Sequence, residues 1–136
     1  MVVGGKAVKM KQISAFLENE PGRLQALLKV LKSGNINIRA LCVADHPDFG
    51  IVRFIVAEPE QAAQALRDAG FTVRLTNVLA VEIPDQAGSL LDHVAEPLAR
   101  NNINLEYFYA FIEPVPGKAM VVVKTSDQNK AEQVLG

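Results

Sequence analysis

The sequence predicts an α+β protein built from two β-α-β-β-α-β units in tandem. Three observations carry that reading: a helix-bearing stretch that occurs twice, alternating apolar segments around each copy, and turn-forming residues between them. The first copy runs from Asn19 to Ile38. Leu24, Leu27, Leu28 and Leu31 fall at i, i+3, i+4 and i+7, which sets four leucines on one helical face. Pro21 suits the first turn of a helix, where its missing N–H has no partner to lose. Gly22 follows and leaves the backbone open to close approach. Ser33-Gly34-Asn35 closes the helix, with Gly34 expected in the left-handed conformation. The second copy runs from Asp85 to Leu105. Gly22 recurs as Gly88 and Leu24 as Leu90, 66 residues on. Asn35-Ile36-Asn37-Ile38 recurs as Asn102-Ile103-Asn104-Leu105, 67 residues on, so the second helix region carries one extra residue. A period of this length is a small domain, longer than the ~20–50 residues of a solenoid repeat.

The elements follow in order. Met10 to Glu18 alternates, with Ile13, Ala15 and Leu17 on one side and Gln12, Ser14 and Phe16 on the other, the pattern of a half-buried strand. After the leucine helix, Ile36 to Ala44 alternates again, with Ile36, Ile38, Ala40, Cys42 and Ala44 on one face. Cys42 therefore reads as core. Asp45 to Gly50 is dense in turn formers and makes a hairpin connection to a strand over Ile51–Ala57. Glu58-Pro59-Glu60 opens a second helix, with acids at its positive end, and Gly70 ends it. Phe71 to Leu75 completes the unit, and Thr76 to Ile83 starts the next with no flexible linker between them. In the second unit Pro97 falls inside the helix Gly88–Arg100, where it removes an internal hydrogen bond and predicts a kink. Ile103 to Ile112 is an aromatic strand, Met120 to Lys124 returns, and Ser126-Asp127 caps a last helix through Leu135. The chain stops at Gly136, which leaves the second unit one edge strand short. The expected divisions are a loose tail at 1–9, a first unit at 10–75 and a second at 76–136. The element order is that of the ferredoxin-like or split βαβ fold, with two helices on one face of an antiparallel sheet.

Bulk properties narrow the function. With 136 residues, 49% of them hydrophobic and 21% charged, the chain is globular and able to bury an ordinary core. A net charge of −1 gives no attraction for polyanions, which argues against nucleic acid as a partner. A single cysteine rules out an intrachain disulfide and fits a reducing interior. No apolar run approaches the ~20 residues of a membrane span, and the first residues lack the apolar core of a signal peptide. The expectation is a cytoplasmic protein that binds neither membrane nor nucleic acid.

The candidate site is the turn before each repeated helix. A helix start presents backbone N–H groups without intrahelical partners and the positive end of the dipole, so an anion such as a carboxylate can sit there. Asn19 and Asp85, at equivalent positions, either cap the helix or reach a ligand's ammonium group. The competing interpretation is a capped helix with a turn glycine and nothing bound. The paired asparagines supply a second feature. Asn35 and Asn102 serve the helix stop, whereas Asn37 and Asn104 fall within the following strand, where an amide can read an amino acid's polar groups or simply face solvent.

The combination of small-polar-Gly-x-Leu, helix and Asn-Ile-Asn strand, twice in order, resembles the ACT domain family, and nearly the whole chain is similar to small bacterial proteins made of two tandem ACT domains. The resemblance implies ligand-sensing modules that bind amino acids and regulate amino-acid enzymes. It also implies two units paired side by side into one antiparallel, eight-stranded sheet, with ligands between the glycine turn of one unit and the second-strand region of the other. Carried onto this sequence, one site combines Asn19, Pro21, Gly22, Arg23 and Leu24 with Asn104. The other combines Asp85, Ala87, Gly88, Ser89 and Leu90 with Asn37. The copies differ, with Pro21 facing Ala87, Arg23 facing Ser89 and Asn19 facing Asp85, so equal affinity is not expected.

Other residues point to ordinary structure. His46 lies in a turn rich in Asp and Pro, with no second His or Cys nearby in sequence to make a metal site. His93 has no nucleophile that spacing places beside it. The strand carrying Tyr107, Phe108, Tyr109 and Phe111 has acidic neighbours, Glu106 and Glu113, which fits packing between sheets or subunits better than RNA stacking. No nucleophile–base pair, metal cluster or cofactor motif emerges. The reading is a non-catalytic amino-acid-binding regulatory protein, needing no cofactor, with a homodimer expected and an amino-acid metabolic enzyme or regulator as its partner. The alternative is a structural dimerisation module with no small-molecule ligand.

Overall fold

The computed structural model describes residues 6–45, 49–112 and 116–136. Among the described residues, six strands and four α-helices follow one another as β1 (Lys6–Glu18), α1 (Arg23–Ser33), β2 (Ile38–Asp45), β3 (Phe49–Val56), α2 (Pro59–Asp68), β4 (Thr72–Pro84), α3 (Glu96–Arg100), β5 (Leu105–Ala110), β6 (Lys118–Thr125) and α4 (Gln128–Leu135). A π-helical stretch, Leu91–Ala95, leads into α3. The chain divides into two compact units, Lys11–Thr76 and Met1–Met10 with Asn77–Gly136. No helix among the described residues is long and apolar enough to cross a membrane.

In Lys11–Thr76 the strand order is β2-β3-β1-β4, with β3 antiparallel to both β1 and β2. Alternation puts Ile13, Ala15 and Leu17 on the face shared with Val52, Phe54 and Val56, and α1 and α2 close over it with Leu27, Leu31, Ala62, Ala63 and Leu66. All four leucines of α1 serve this core, Leu27 and Leu31 buried and Leu24 and Leu28 half-buried at its margin. In the other unit the order is β1-β4-β6-β5, and β6 is antiparallel to β4 and β5. Its core gathers Leu79, Val81, Ile83, Val121 and Val123 under Val94, Leu98, Ala131 and Leu135. Asp127 caps α4 through its carboxylate, which accepts the Lys130 N–H at 3.1 Å.

Several sequence expectations change here. Lys6–Lys9, read as loose tail, are strand, and Ala7 packs on the second core. The start of β1 thus serves as the outer strand beside β4 in the second unit. The two strands expected to meet at Leu75 and Thr76 form one uninterrupted thirteen-residue strand, β4. Gly34 ends α1 with φ −85°, and Asn35 is the residue at positive φ, 55°. Its neighbour completes a Schellman stop, with the Ile36 N–H donating to the Leu31 carbonyl at 2.9 Å. Asn102 repeats this at φ 56°, with Ile103 donating to Leu98 at 2.9 Å. Asparagine tolerates the left-handed region better than other side chains, which accounts for the first Asn of each pair.

Strict alternation also fails in β2. A bulge between Ile38 and Ala40 shifts the register, so Leu41, opposite Phe54, turns to the core while Cys42, opposite Arg53, turns away. Cys42 is half-buried rather than core. β5 carries the matching bulge between Leu105 and Tyr107, which sends Tyr107 and Tyr109 to the face away from the helices. Their rings stack with centroids 6.5 Å apart.

Candidate functional site

Each repeated helix begins at a glycine held at positive φ, 87° at Gly22 and 86° at Gly88. An L side chain is disfavoured there, so backbone conformation alone accounts for both glycines. Gly22 stands at the N-cap of α1, and neither Asn19 nor any other side chain caps that helix. The Gly22 carbonyl accepts the Ala26 N–H at 2.9 Å, and nothing lies within 4 Å of where a Cβ at Gly22 would point. The entrance to α1 is therefore open, with the dipole's positive end behind it, although the Arg23 N–H already donates to the Glu20 carbonyl at 3.5 Å.

Beside this turn lies a pocket of about 590 Å³ lined by Phe16, Glu18, Asn19, Glu20, Arg23, Phe49 and Phe71 among others. β1 ends in it, β3 and β4 start in it, and α1 begins at its rim. Arg23 lays its guanidinium over the Phe71 ring, 5.1 Å from the centroid. Its Nη2 stands 3.9 Å from a Glu18 carboxylate oxygen, and its Nε is shielded from solvent without a hydrogen-bond partner. Phe16 and Phe49 meet edge to face at 5.7 Å, with Arg74 over Phe16 at 6.0 Å.

Of the residues read from sequence, Asn19 and Arg23 line this pocket, with Pro21 and Gly22 exposed in the turn and Leu24 at the edge of the core. In the other unit Asp85, Gln86, Ala87, Gly88 and Leu90 are exposed, while the Ser89 side chain is buried. Asn37 and Asn104 sit just before β2 and β5 rather than inside them, and both are exposed. Asn37 lines a shallower pocket of about 340 Å³ with Lys32 and Asn35, at the C-terminal end of α1. The eleven residues of α1, roughly 16 Å of helix, part it from Gly22. Asn104 is tied through its backbone to Ser126, whose N–H it accepts at 2.9 Å. Each unit thus keeps its glycine turn and its Asn-Ile-Asn stop at opposite helix ends.

The aromatic lining was not legible as a site. Phe16, Phe49 and Phe71 come from three strands distant in sequence, and the only signal was Phe16's place on the side opposite Ile13, Ala15 and Leu17. His93 is half-buried, and His46 lies outside the described residues. Among the described residues no group of three His, Cys, Asp or Glu side chains gathers to hold a metal ion.

Comparison with known proteins matches this arrangement to a family described as the ACT domain pair, over residues 8–135. The chain belongs to that family. A crystal structure of protein BT0572 from Bacteroides thetaiotaomicron is 39% identical, covers 95% of this chain and 88% of its own, and superposes with a TM-score of 0.86. The regulatory subunit of aspartate kinase from Thermus thermophilus, in a ligand-free form, is 14% identical with a TM-score of 0.66, over 95% of this chain and 93% of that one. The Thermus flavus counterpart is 16% identical with a TM-score of 0.65, over 98% and 95%. At those identities the two kinase subunits show the shared ACT-pair fold alone. No curated protein sequence matches.

Proposed function

We propose that this ACT domain pair binds an amino acid without transforming it and passes the binding on as a regulatory signal in the cytoplasm. The observation that carries the reading is the open, uncapped entrance to α1 with a pocket of ligand size beside it. A ligand carboxylate meets the positive end of α1 at the Gly22 and Leu24 amides and the Arg23 side chain, while Asn19 and the neighbouring acids take its ammonium group. Pro21 fixes the approach to the turn. Asp85, Ala87, Gly88, Ser89 and Leu90 form the equivalent turn. Asn37 and Asn104, at the far end of their own helices, contribute only where a glycine turn of a different unit comes to them, in this chain or in a second copy. Transmission to an amino-acid metabolic enzyme or regulator then requires the ligand to favour one arrangement of units over another. Membership of the ACT-pair family and the naming of two similar folds as regulatory subunits support this reading.

Titration calorimetry of the full chain with each of the twenty amino acids tests it. Binding by at least one, weakened by Gly22→Val in a variant whose melting curve is cooperative, is the expected result. Heat from none of them up to about 10 mM would leave the reading without support. A second reading rests on Val43 and Phe108, large apolar residues 55% and 43% exposed on β2 and β5, the outermost strands of the two units. Such edges suit pairing with a second copy. A concentration-dependent dimer with no ligand response would mark the protein as a pairing module.

A further inference from the structure

The pocket beside Gly22 is built for more than a carboxylate. Two half-buried rings, Phe16 and Phe49, face it in edge-to-face contact, and a third, Phe71, backs the Arg23 guanidinium. Rings at the mouth of a cavity, left partly open to water, gain contact when another apolar or aromatic group covers them. Arg23 is held flat by its ring and by the start of α1, so its orientation is set in advance. Its Nε lacks a partner although it is shielded from solvent. The nearest carboxylate, on Glu18, stands 3.9 Å from Nη2, beyond hydrogen-bond length. A planar fork in that state matches a carboxylate that takes two parallel N–H donors. Glu18, 3.9 Å from Arg23, and Glu20, both exposed on the rim, supply negative charge beside the fork.

We propose that this pocket selects an aromatic amino acid. Its carboxylate lies on the Arg23 fork, its ammonium toward Glu18 and Glu20, and its ring against Phe16 and Phe49. The proposal deepens the amino-acid reading above and rests on it. It also assigns one ligand per chain. In the second repeat Arg23 is replaced by Ser89 and Phe16 by Glu82. That turn offers neither fork nor rings.

The test is calorimetry of the full chain against phenylalanine, tyrosine, tryptophan, leucine, serine, aspartate and lysine, with the remaining amino acids as a background set. Aromatic amino acids are expected to bind with a stoichiometry of one per chain and at least about tenfold more tightly than serine or aspartate. Arg23→Gln and Arg23→Lys are each expected to weaken them by about tenfold or more, because the planar fork is lost in both while charge survives in the second. Phe49→Leu is expected to lower affinity for phenylalanine while preserving the fold, checked by a cooperative melting transition. Tight binding of a small or charged amino acid in preference to the aromatic ones would overturn the class and leave the general reading standing. Aromatic binding indifferent to Arg23→Lys and Phe49→Leu would overturn the pocket as the site. Silence from all twenty would bring down both.

Discussion

The two repeated helices start from the same glycine turn and stop on the same left-handed asparagine, yet they are wound differently between. α1 is a regular helix of eleven residues, whereas helical residues 89–100 pass through the π-helical stretch Leu91–Ala95 before α3. The Glu96 N–H reaches back five residues to the Leu91 carbonyl. The offset between repeats locates the cause. Gly22 and Leu24 map 66 residues on to Gly88 and Leu90, but buried Leu27 and Leu31 map 67 residues on to buried Val94 and Leu98. The extra residue therefore lies between Leu90 and Val94 and is absorbed as a π-bulge. Both ends of the helix are pinned, by the glycine turn and by the core, so the insertion widens one turn instead of rotating the buried face. Pro97 follows the bulge as the second residue of α3, in its first turn, where the lost N–H does least damage.

The comparison can be broken in several places. The largest effect is expected from removing residues 1–10, which takes one strand from Asn77–Gly136 while leaving Lys11–Thr76 its own residues. A loss of about 3–5 kcal/mol or more is expected from the missing ladder bonds and the uncovered core. Hydrogen exchange should show it confined to β4 from Asn77 onward, β5, β6 and α4; equal loss in α1 and α2 would contradict the two-unit division. Next, deleting Gln25 turns Leu27 and Leu31 by about 100° and is expected to cost about 3–5 kcal/mol in denaturant titration. Deleting Leu91 together with Pro97→Ala restores an uninterrupted helix and is expected to cost no more than about 1 kcal/mol. Similar costs for the two deletions would show that the bulge is not the inserted residue.

Smaller effects sharpen the likeness. Gly22→Ala and Gly88→Ala each place a Cβ at positive φ, with open space at Gly22 and only Asp92 Oδ2 at 3.9 Å at Gly88, so both are expected to cost about 1–2 kcal/mol. Unequal costs in thermal melts would mean that one turn does more than bend the chain. Asn35→Ala and Asn102→Ala are expected to cost about 1 kcal/mol each, and Asn→Gly at either position is expected to be neutral or stabilising. The smallest difference depends on pH. Glu60 is fully exposed, and its carboxyl is held below the ordinary range mainly by the hydrogen bond from Lys11 Nζ at 3.1 Å. In the other unit the first turn of α4 is tied to the strand by Gln128, which donates to the Asn77 carbonyl at 3.3 Å, a tie that does not titrate. A depressed carboxyl contributes above its unfolded value and loses that contribution as pH falls through its folded one. Lys11→Gln is therefore expected to lower stability slightly at neutral pH, to leave it unchanged in acid and to return the Glu60 titration toward the ordinary carboxylate range, read by proton NMR titration of Glu60.

Much of this molecule was legible in one dimension because its information is local and repeated. Periodicity marks α1 and most strand cores, positive-φ glycines mark the two turns, and duplication marks two ACT units, since each signal depends only on residues within a turn or a pleat of one another. Three things required the folded chain. Which asparagine takes the left-handed position depends on the hydrogen bond that Ile36 or Ile103 completes, and which β2 residues face inward depends on a bulge set by pairing with β3. The strand that fills the second unit lies at the other end of the sequence, beyond any periodic signal. The pocket at Gly22 joins Phe16, Arg23, Phe49 and Phe71 from four elements, and only closure of the sheet brings their rings and guanidinium to one place.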